Sequence, residues 1–439
     1  MGFRRLRLLA IPLLAPISIP VLAGSVLTWS QESALYSFRL SGDGNAPLAG
    51  LVSDRLGNLY GTTSGGGANL EGAIFELSPP ATQGGHWTET LLFSFGGTSA
   101  GTAPAFGSLV FDQAGNLYGT TSVGGLTGTG CSSAGCGTVF ELSPPASQGG
   151  SWTDSVIYEF SPGGASYPIG GVVVDGAGNL YGTTSSGGTD GWGTVYELQP
   201  PLVVGGPWTE QVLHSFANGA DGAGPQASVT IGKKKEIYGT TAGGGAAGFG
   251  TVFELIPPAG GGGAWKEIIL HNFIGGKDGA NPNGGVILDS AGKLYGTTVA
   301  GGGPDVGTVF EVVPPAAQGG HWREAVLYTF RADVVANPYA APVLDHSGNL
   351  YGTTYQGGSY NRGIVFKLTP PAGNGVVWTF TALHDFDGGG DGVNEGIFPL
   401  AGLIPGSDGD LYGTTWEGGS GGCQNGIYYG CGTVFRIAP

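Results

Sequence analysis

The residues of this chain whose types could do chemistry sit in glycine-rich stretches, and each group has a structural explanation beside the chemical one. In one set of loops between the repeated runs, an Asp-Gly element appears at Asp43-Gly44-Asn45, Asp221-Gly222, Asp278-Gly279-Ala280-Asn281 and Asp391-Gly392-Val393-Asn394. Carboxylate, amide and backbone oxygens on a glycine-bent loop are what a hard cation such as Ca²⁺ takes as ligands. The complete Asp-x-Asp/Asn-x-Asp/Asn-Gly loop with its distal Glu is missing, so Asp43, Asp221, Asp278 and Asp391 stand as either calcium ligands or solvated turns. Trp192, Trp416, Tyr428 and Tyr429 lie outside the positions that repeat along the chain. Their rings could stack on sugars or peptides, or fold back on their own loops.

The four cysteines form two local pairs, Cys131 with Cys136 and Cys423 with Cys431, each inside a Gly-rich loop that in the second case also holds Tyr428 and Tyr429. In an exported chain they are expected to be disulfides, each worth roughly 2–3 kcal/mol by chain entropy. Zinc is the competing reading, and no histidine near either pair supports it. Neither His-Glu-x-x-His nor a phosphate-binding loop is present. His214, His271 and His384 occupy a slot held elsewhere by Tyr36, Phe93, Tyr158 and Tyr328. They are therefore expected to replace core aromatics, and none pairs by spacing with a nucleophile or a second ligand.

The elements that position these residues come from a repeat. Leu-Tyr-Gly-Thr-Thr or a close variant recurs with its tyrosine at Tyr60, Tyr118, Tyr181, Tyr238, Tyr295, Tyr351 and Tyr412. Each copy lies in a unit of four strand-length runs, a to d. These are a short apolar run, the tag, Gly-Thr-Val-Phe-Glu-Leu, and a run from Trp to Ser-Phe, joined by turns and Gly-rich loops. Asp54, Asp112, Asp175, Asp289 and Asp345 sit in the turn between a and b, where a carboxylate caps a type I turn and the following Gly takes the left-handed position. The repeat absorbs 28 of the 46 aromatics, which marks them as packing between adjacent units rather than as a ligand platform.

The ends are out of phase with the repeat. Arg4, Arg5 and Arg7, the apolar run 8–23 and the small residues before its end read as an export signal cut after Ala23; the run is too short to span a membrane and is broken by Pro12, Pro16 and Pro20. The chain from residue 24 then starts with a lone strand d and finishes after a lone strand c. Joining them completes a seventh unit and removes exposed sheet edges. The expected fold is an all-β, seven-bladed β-propeller of four-stranded blades in one domain, 24–439, closed by an N-terminal strand joining the C-terminal blade. A β-solenoid is the competitor. Removing three arginines from the 16 basic residues leaves 13 against 32 acidic, so nucleic acid is an improbable partner. No second long apolar run exists, so no membrane span is expected, and the expected product is a soluble exported monomer.

The segment Leu109-Val110-Phe111-Asp112-Gln113-Ala114-Gly115-Asn116-Leu117-Tyr118 resembles the strand pair of NHL-type propeller repeats. The whole unit, from Gly-Asn-Leu-Tyr-Gly-Thr-Thr through Gly-Thr-Val-Phe-Glu-Leu, more closely resembles the bacterial tandem-repeat family called GloVer, found in "choice-of-anchor" proteins. That resemblance implies a secreted or surface-displayed repeat protein; the chain departs from it in carrying no sorting tail before Pro439.

In a propeller the d-to-a and b-to-c loops share one face, where ligands are met. The leading expectation is a binding module for extracellular carbohydrate or protein on that face, with calcium as an accessory. The alternatives are a lyase or hydrolase acting on extracellular polysaccharide or peptide at the channel mouth, and a structural envelope protein. Non-repeated carboxylates or histidines at the channel would favour catalysis; an aromatic patch would favour binding.

Overall fold

Each tag forms a five-residue strand buried along its whole length, as in Leu59–Thr63 and Leu117–Thr121. The glycine is required because the strand c phenylalanine lies on it: a Cβ at Gly61 would meet Phe75 Cζ at 2.6 Å, and one at Gly119 would meet Phe140 Cζ at 2.5 Å. The first threonine ties neighbouring units together, since Thr120, Thr183, Thr240, Thr353 and Thr414 donate to the Gly170, Ala227, Gly284, Ala401 and Ala49 carbonyls. The second threonine meets a strand c threonine, as Thr121 meets Thr138 at 2.8 Å. The turn aspartate caps as expected: Asp112 Oδ1 accepts the Ala114 and Asn116 N–H groups and Oδ2 accepts the Tyr118 hydroxyl.

The computed structural model describes residues 32–439 except 40–41, 83, 97–100, 103, 105, 148, 204, 261, 304, 318, 332–335, 374, 390–394 and 426–427. The expected signal, residues 1–23, and Asp391 lie outside the described residues. Seven antiparallel four-stranded sheets each run a-b-c-d. In blade 1 the strands are Val52–Ser53, Leu59–Thr63, Ala73–Ser78 and Thr88–Ser94. Blades 2 to 6 span 110–159, 173–215, 230–272, 287–329 and 343–385. Blade 7 takes strands a to c from 404–437 and its strand d from Glu32–Ser37, which pairs with Thr433–Ile437. The ring is closed by strand pairing between the two ends of the chain, as the phase of the repeat implies. A three-residue 3-10 turn, Gly276–Asp278, is the only helical element among the described residues.

The core is divided among the seven blade junctions. Phe75 and Leu77 of blade 1 pack with Phe38, Tyr412 and Val434 of blade 7, whereas Ile74 and Tyr60 pack with Leu109, Leu117, Phe140 and Leu142 of blade 2. A β-bulge in strand d recurs in every blade: in blade 1 the partner of Ile74 is Phe93 and that of Phe75 is Leu91, with Leu92 left between. The extra residue reverses the facing of the strand beyond it. Glu89, before the bulge, shares the Leu77 face toward blade 7, and Phe93, after it, shares the Ile74 face toward blade 2.

Candidate functional site

The d-to-a and b-to-c loops do share a face, because they pair with each other: Gly44–Asn45 with Gly65–Gly66, Ala165–Ser166 with Ser186–Gly187, and Gly396–Ile397 with Glu417–Gly418. On the ring axis at this face lies a cavity of 610 Å³ to which every blade contributes. A pair of small residues precedes each strand a, such as Gly170-Gly171 and Ala227-Ser228, and at least one of each pair lines the cavity. These pairs must be small, because a Cβ at Gly170 would meet Ala227 C at 2.5 Å and one at Gly284 would meet Ala340 C at 2.7 Å. Immediately before each pair comes a residue that varies from blade to blade. Leu48, Phe106, Ile169, Gln226, Asn283, Tyr339 and Leu400 ring the mouth, one from each blade.

Two b-to-c loop aromatics, Tyr355 and Trp416, complete the lining. Tyr339, Tyr355 and Trp416 form a connected aromatic arc, with Tyr355 centred 5.8 Å from Tyr339 and 6.4 Å from Trp416. The buried Phe398 packs against it, 5.1 Å from Tyr355. The neighbouring arc, from blades 4 and 5, offers the Gln226 and Asn283 amides. No Asp, Glu, His, Lys, Arg or Cys is among the described lining residues.

Of the aromatics singled out by sequence, Trp416 therefore belongs to the mouth. Trp192 stands apart on the blade 3 loop, 47% exposed. Tyr428–Tyr429 is a short strand paired with Gln424–Asn425 inside the loop closed by Cys423 and Cys431; its side chains lie outside the described residues. Both disulfides are formed, with Cα atoms 4.9 Å apart for Cys131–Cys136 and 5.0 Å for Cys423–Cys431. Tyr339, Tyr355, Gln226 and Asn283 are site residues that sequence reasoning missed. The signal for the ring was there, as the variable residue one or two places after a repeated proline.

Asp43, Asp221 and Asp278 cap d-to-a loops on the same face. Asp43 accepts the Tyr36 hydroxyl and the Arg39 N–H, Asp221 accepts the Ala217 and Gly219 N–H groups, and Asp278 accepts that of Ile274. Three such loops hold more than a cap. His214 faces Asp221 and Glu267, His271 faces Asp278 and Glu324, and His384 faces Glu395 and Glu32. Burial pushes the Glu267 carboxyl up to about 8 and those of Glu324 and Glu32 to about 7, and pulls the His214 imidazole below its ordinary value. The histidines do replace core aromatics, as each ring lies edge-on to the next phenylalanine, His214 to Phe216 at 4.7 Å. Their acidic partners were not legible from spacing within one unit, because one carboxylate comes from the following blade.

A closed ring of four-stranded blades with an axial mouth lined from all seven is a seven-bladed β-propeller. Residues 127–315 and 258–439 match the Gloeobacter/Verrucomicrobia repeat, and the chain belongs to that family. No curated protein matches it. Among solved structures it is similar to a putative oxidoreductase (glucose dehydrogenase) of Thermus thermophilus, at 17% identity and TM-score 0.43 over 93% of this chain and 99% of that one. It is also similar to a luciferin-regenerating enzyme, at 14% and 0.42 over 75% and 90%. A third is a Hadza microbial sialidase, at 13% and 0.40 over 79% and 66%. At these identities the likenesses carry no chemistry across.

Proposed function

We propose that this chain is an exported binding module that holds a neutral carbohydrate at the mouth of the propeller channel. The observation that carries this reading is the lining: an aromatic arc of Tyr339, Tyr355 and Trp416 beside the Gln226 and Asn283 amides, with no ionisable acid or base among the described lining residues. Aromatic faces stack on the C–H faces of sugar rings, and amides both donate to and accept from hydroxyls. Hydrolysis or elimination at this mouth would need a positioned acid and base, so the lining supports binding over turnover. The two disulfides and the Arg-flanked apolar leader support export.

The test is a glycan array followed by calorimetry on the best hit. Neutral oligosaccharides should bind, Trp416→Ala should weaken binding at least about tenfold, the loss of one well-packed aromatic contact, and Trp192→Ala should leave it unchanged. Binding restricted to anionic glycans, or insensitive to Trp416→Ala, overturns the proposal.

A further inference from the structure

Three blade junctions carry one set of donors that neither the repeat nor the channel mouth explains. At each, a histidine near the end of strand d, a carboxylate from the d-to-a loop after it, and a glutamate from the start of strand d of the next blade bring one donor atom apiece within 4.8 Å of one another. His214 Nε2 is 3.6 Å from Asp221 Oδ2 and 3.4 Å from Glu267 Oε1; His271 Nε2 is 3.2 Å from Asp278 Oδ1; His384 Nε2 lies against Glu395 Oε1. Donors about 2.0–2.1 Å from a tetrahedral metal stand roughly 3.3 Å from each other. The histidine-to-acid distances at His214 and His271 are close to that spacing.

The second sign is in the donors' hydrogen bonding. His214 Nε2, Glu267 Oε1, Glu324 Oε1 and Glu32 Oε1 are buried from solvent and meet polar groups only within their own cluster. The loop acids, by contrast, are fixed from behind: Asp221 by the Ala217 and Gly219 N–H groups, and Glu395 Oε2 by those of Asp387 and Gly388. Backbone groups that orient a carboxylate whose neighbours meet only one another are the outer shell of a metal site. The strand d acid is equally unpartnered at the junctions without histidine, as Glu89 Oε1, Asp154 Oδ1 and Glu210 Oε1, so what sets the three junctions apart is the imidazole that stands in place of an aromatic ring. Tyr36 closes on Asp43 and Tyr158 on Glu210 through their own hydroxyl protons, and Tyr328 stacks on Phe380 at 4.5 Å.

We propose that His214–Asp221–Glu267, His271–Asp278–Glu324 and His384–Glu395–Glu32 each bind a divalent transition metal such as Zn²⁺, pinning one blade to the next. One imidazole and two carboxylates suit a borderline cation, whereas Ca²⁺ takes six to eight oxygens. Three protein donors leave a coordination position for water.

Metal content after gel filtration in Zn²⁺ is the measurement, with Co²⁺ absorption as a second readout. Three equivalents are expected, falling by one in each of His214→Phe, His271→Phe and His384→Phe, and to none in the triple variant. Phenylalanine already fills this slot in blade 1 as Phe93, so the variants should melt like the parent in chelator. Should any fail to fold, Glu267→Gln, Glu324→Gln and Glu32→Gln must each lose one equivalent. Retention of no transition metal, retention unchanged in these variants, or uptake of Ca²⁺ in preference overturns the proposal.

Discussion

Glu89 and Asp154 occupy, in blades 1 and 2, the strand d position that Glu267 and Glu324 hold in blades 4 and 5, without a histidine beside them. Burial pushes Glu89 up to about 7, with the Asp43 charge adding to it, and burial pushes Asp154 to about 6. In an unfolded chain these groups titrate near roughly 4. Between the two values the folded protein holds protons that the unfolded chain releases, so stability is full below the unfolded value and is lost as pH rises through the folded one. Melting should therefore be higher at pH 5 than at pH 8, and Glu89→Gln, beside Asp43 and Tyr36, should reduce that difference. A melting point that rises with pH over this window would contradict the assignment.

Strand b and the loop after it set the next scale. Gly239 lies under Phe253, whose Cζ would be 2.5 Å from an added Cβ. Gly239→Ala should cost roughly 1–3 kcal/mol in chemical denaturation, the ordinary penalty of overpacking a core. The loop from Cys423 to Cys431 buries both cysteines in the junction between blades 7 and 1. Replacing both by serine should lower stability by about 2.5 kcal/mol through the eight-residue closure alone. The strand d bulge belongs to this scale too. Without it, residues four apart on the strand would face the same neighbour, and no junction could bring a histidine of one blade against a glutamate of the next.

At the scale of the molecule, stability depends on a strand from the far end of the sequence. Among the described residues, Glu32–Ser37 is the only partner on the outer side of Thr433–Ile437. Deleting residues 24–38 removes this strand and Phe38, exposing a sheet edge and the Phe75 and Leu77 surfaces it covers. The truncated chain should unfold without cooperativity and aggregate, and a peptide of residues 29–39 added in trans should restore a monodisperse ring, both read by light scattering and calorimetry. A truncated chain that melts as sharply as the full one would show that closure contributes little.

The sequence by itself determined what is local and repeated. Spacing of the Leu-Tyr-Gly-Thr-Thr tags, turn aspartates such as Asp112 and the split unit at the two ends carried blade number, strand order and closure, because hydrophobic period and turn chemistry act within about ten residues. It also paired the cysteines, which are neighbours along the chain. Tertiary structure alone decided what lies between blades. Leu48, Gln226 and Tyr339 meet at one mouth because ring closure brings together positions some fifty residues or more apart, and Trp416 reaches that mouth while Trp192, in the corresponding loop of blade 3, does not. Glu267 meets His214 only because a bulge turns one toward the other across a junction. Such contacts leave no period in a single unit, since each half of the contact satisfies its own strand and the physics that joins them is packing between blades.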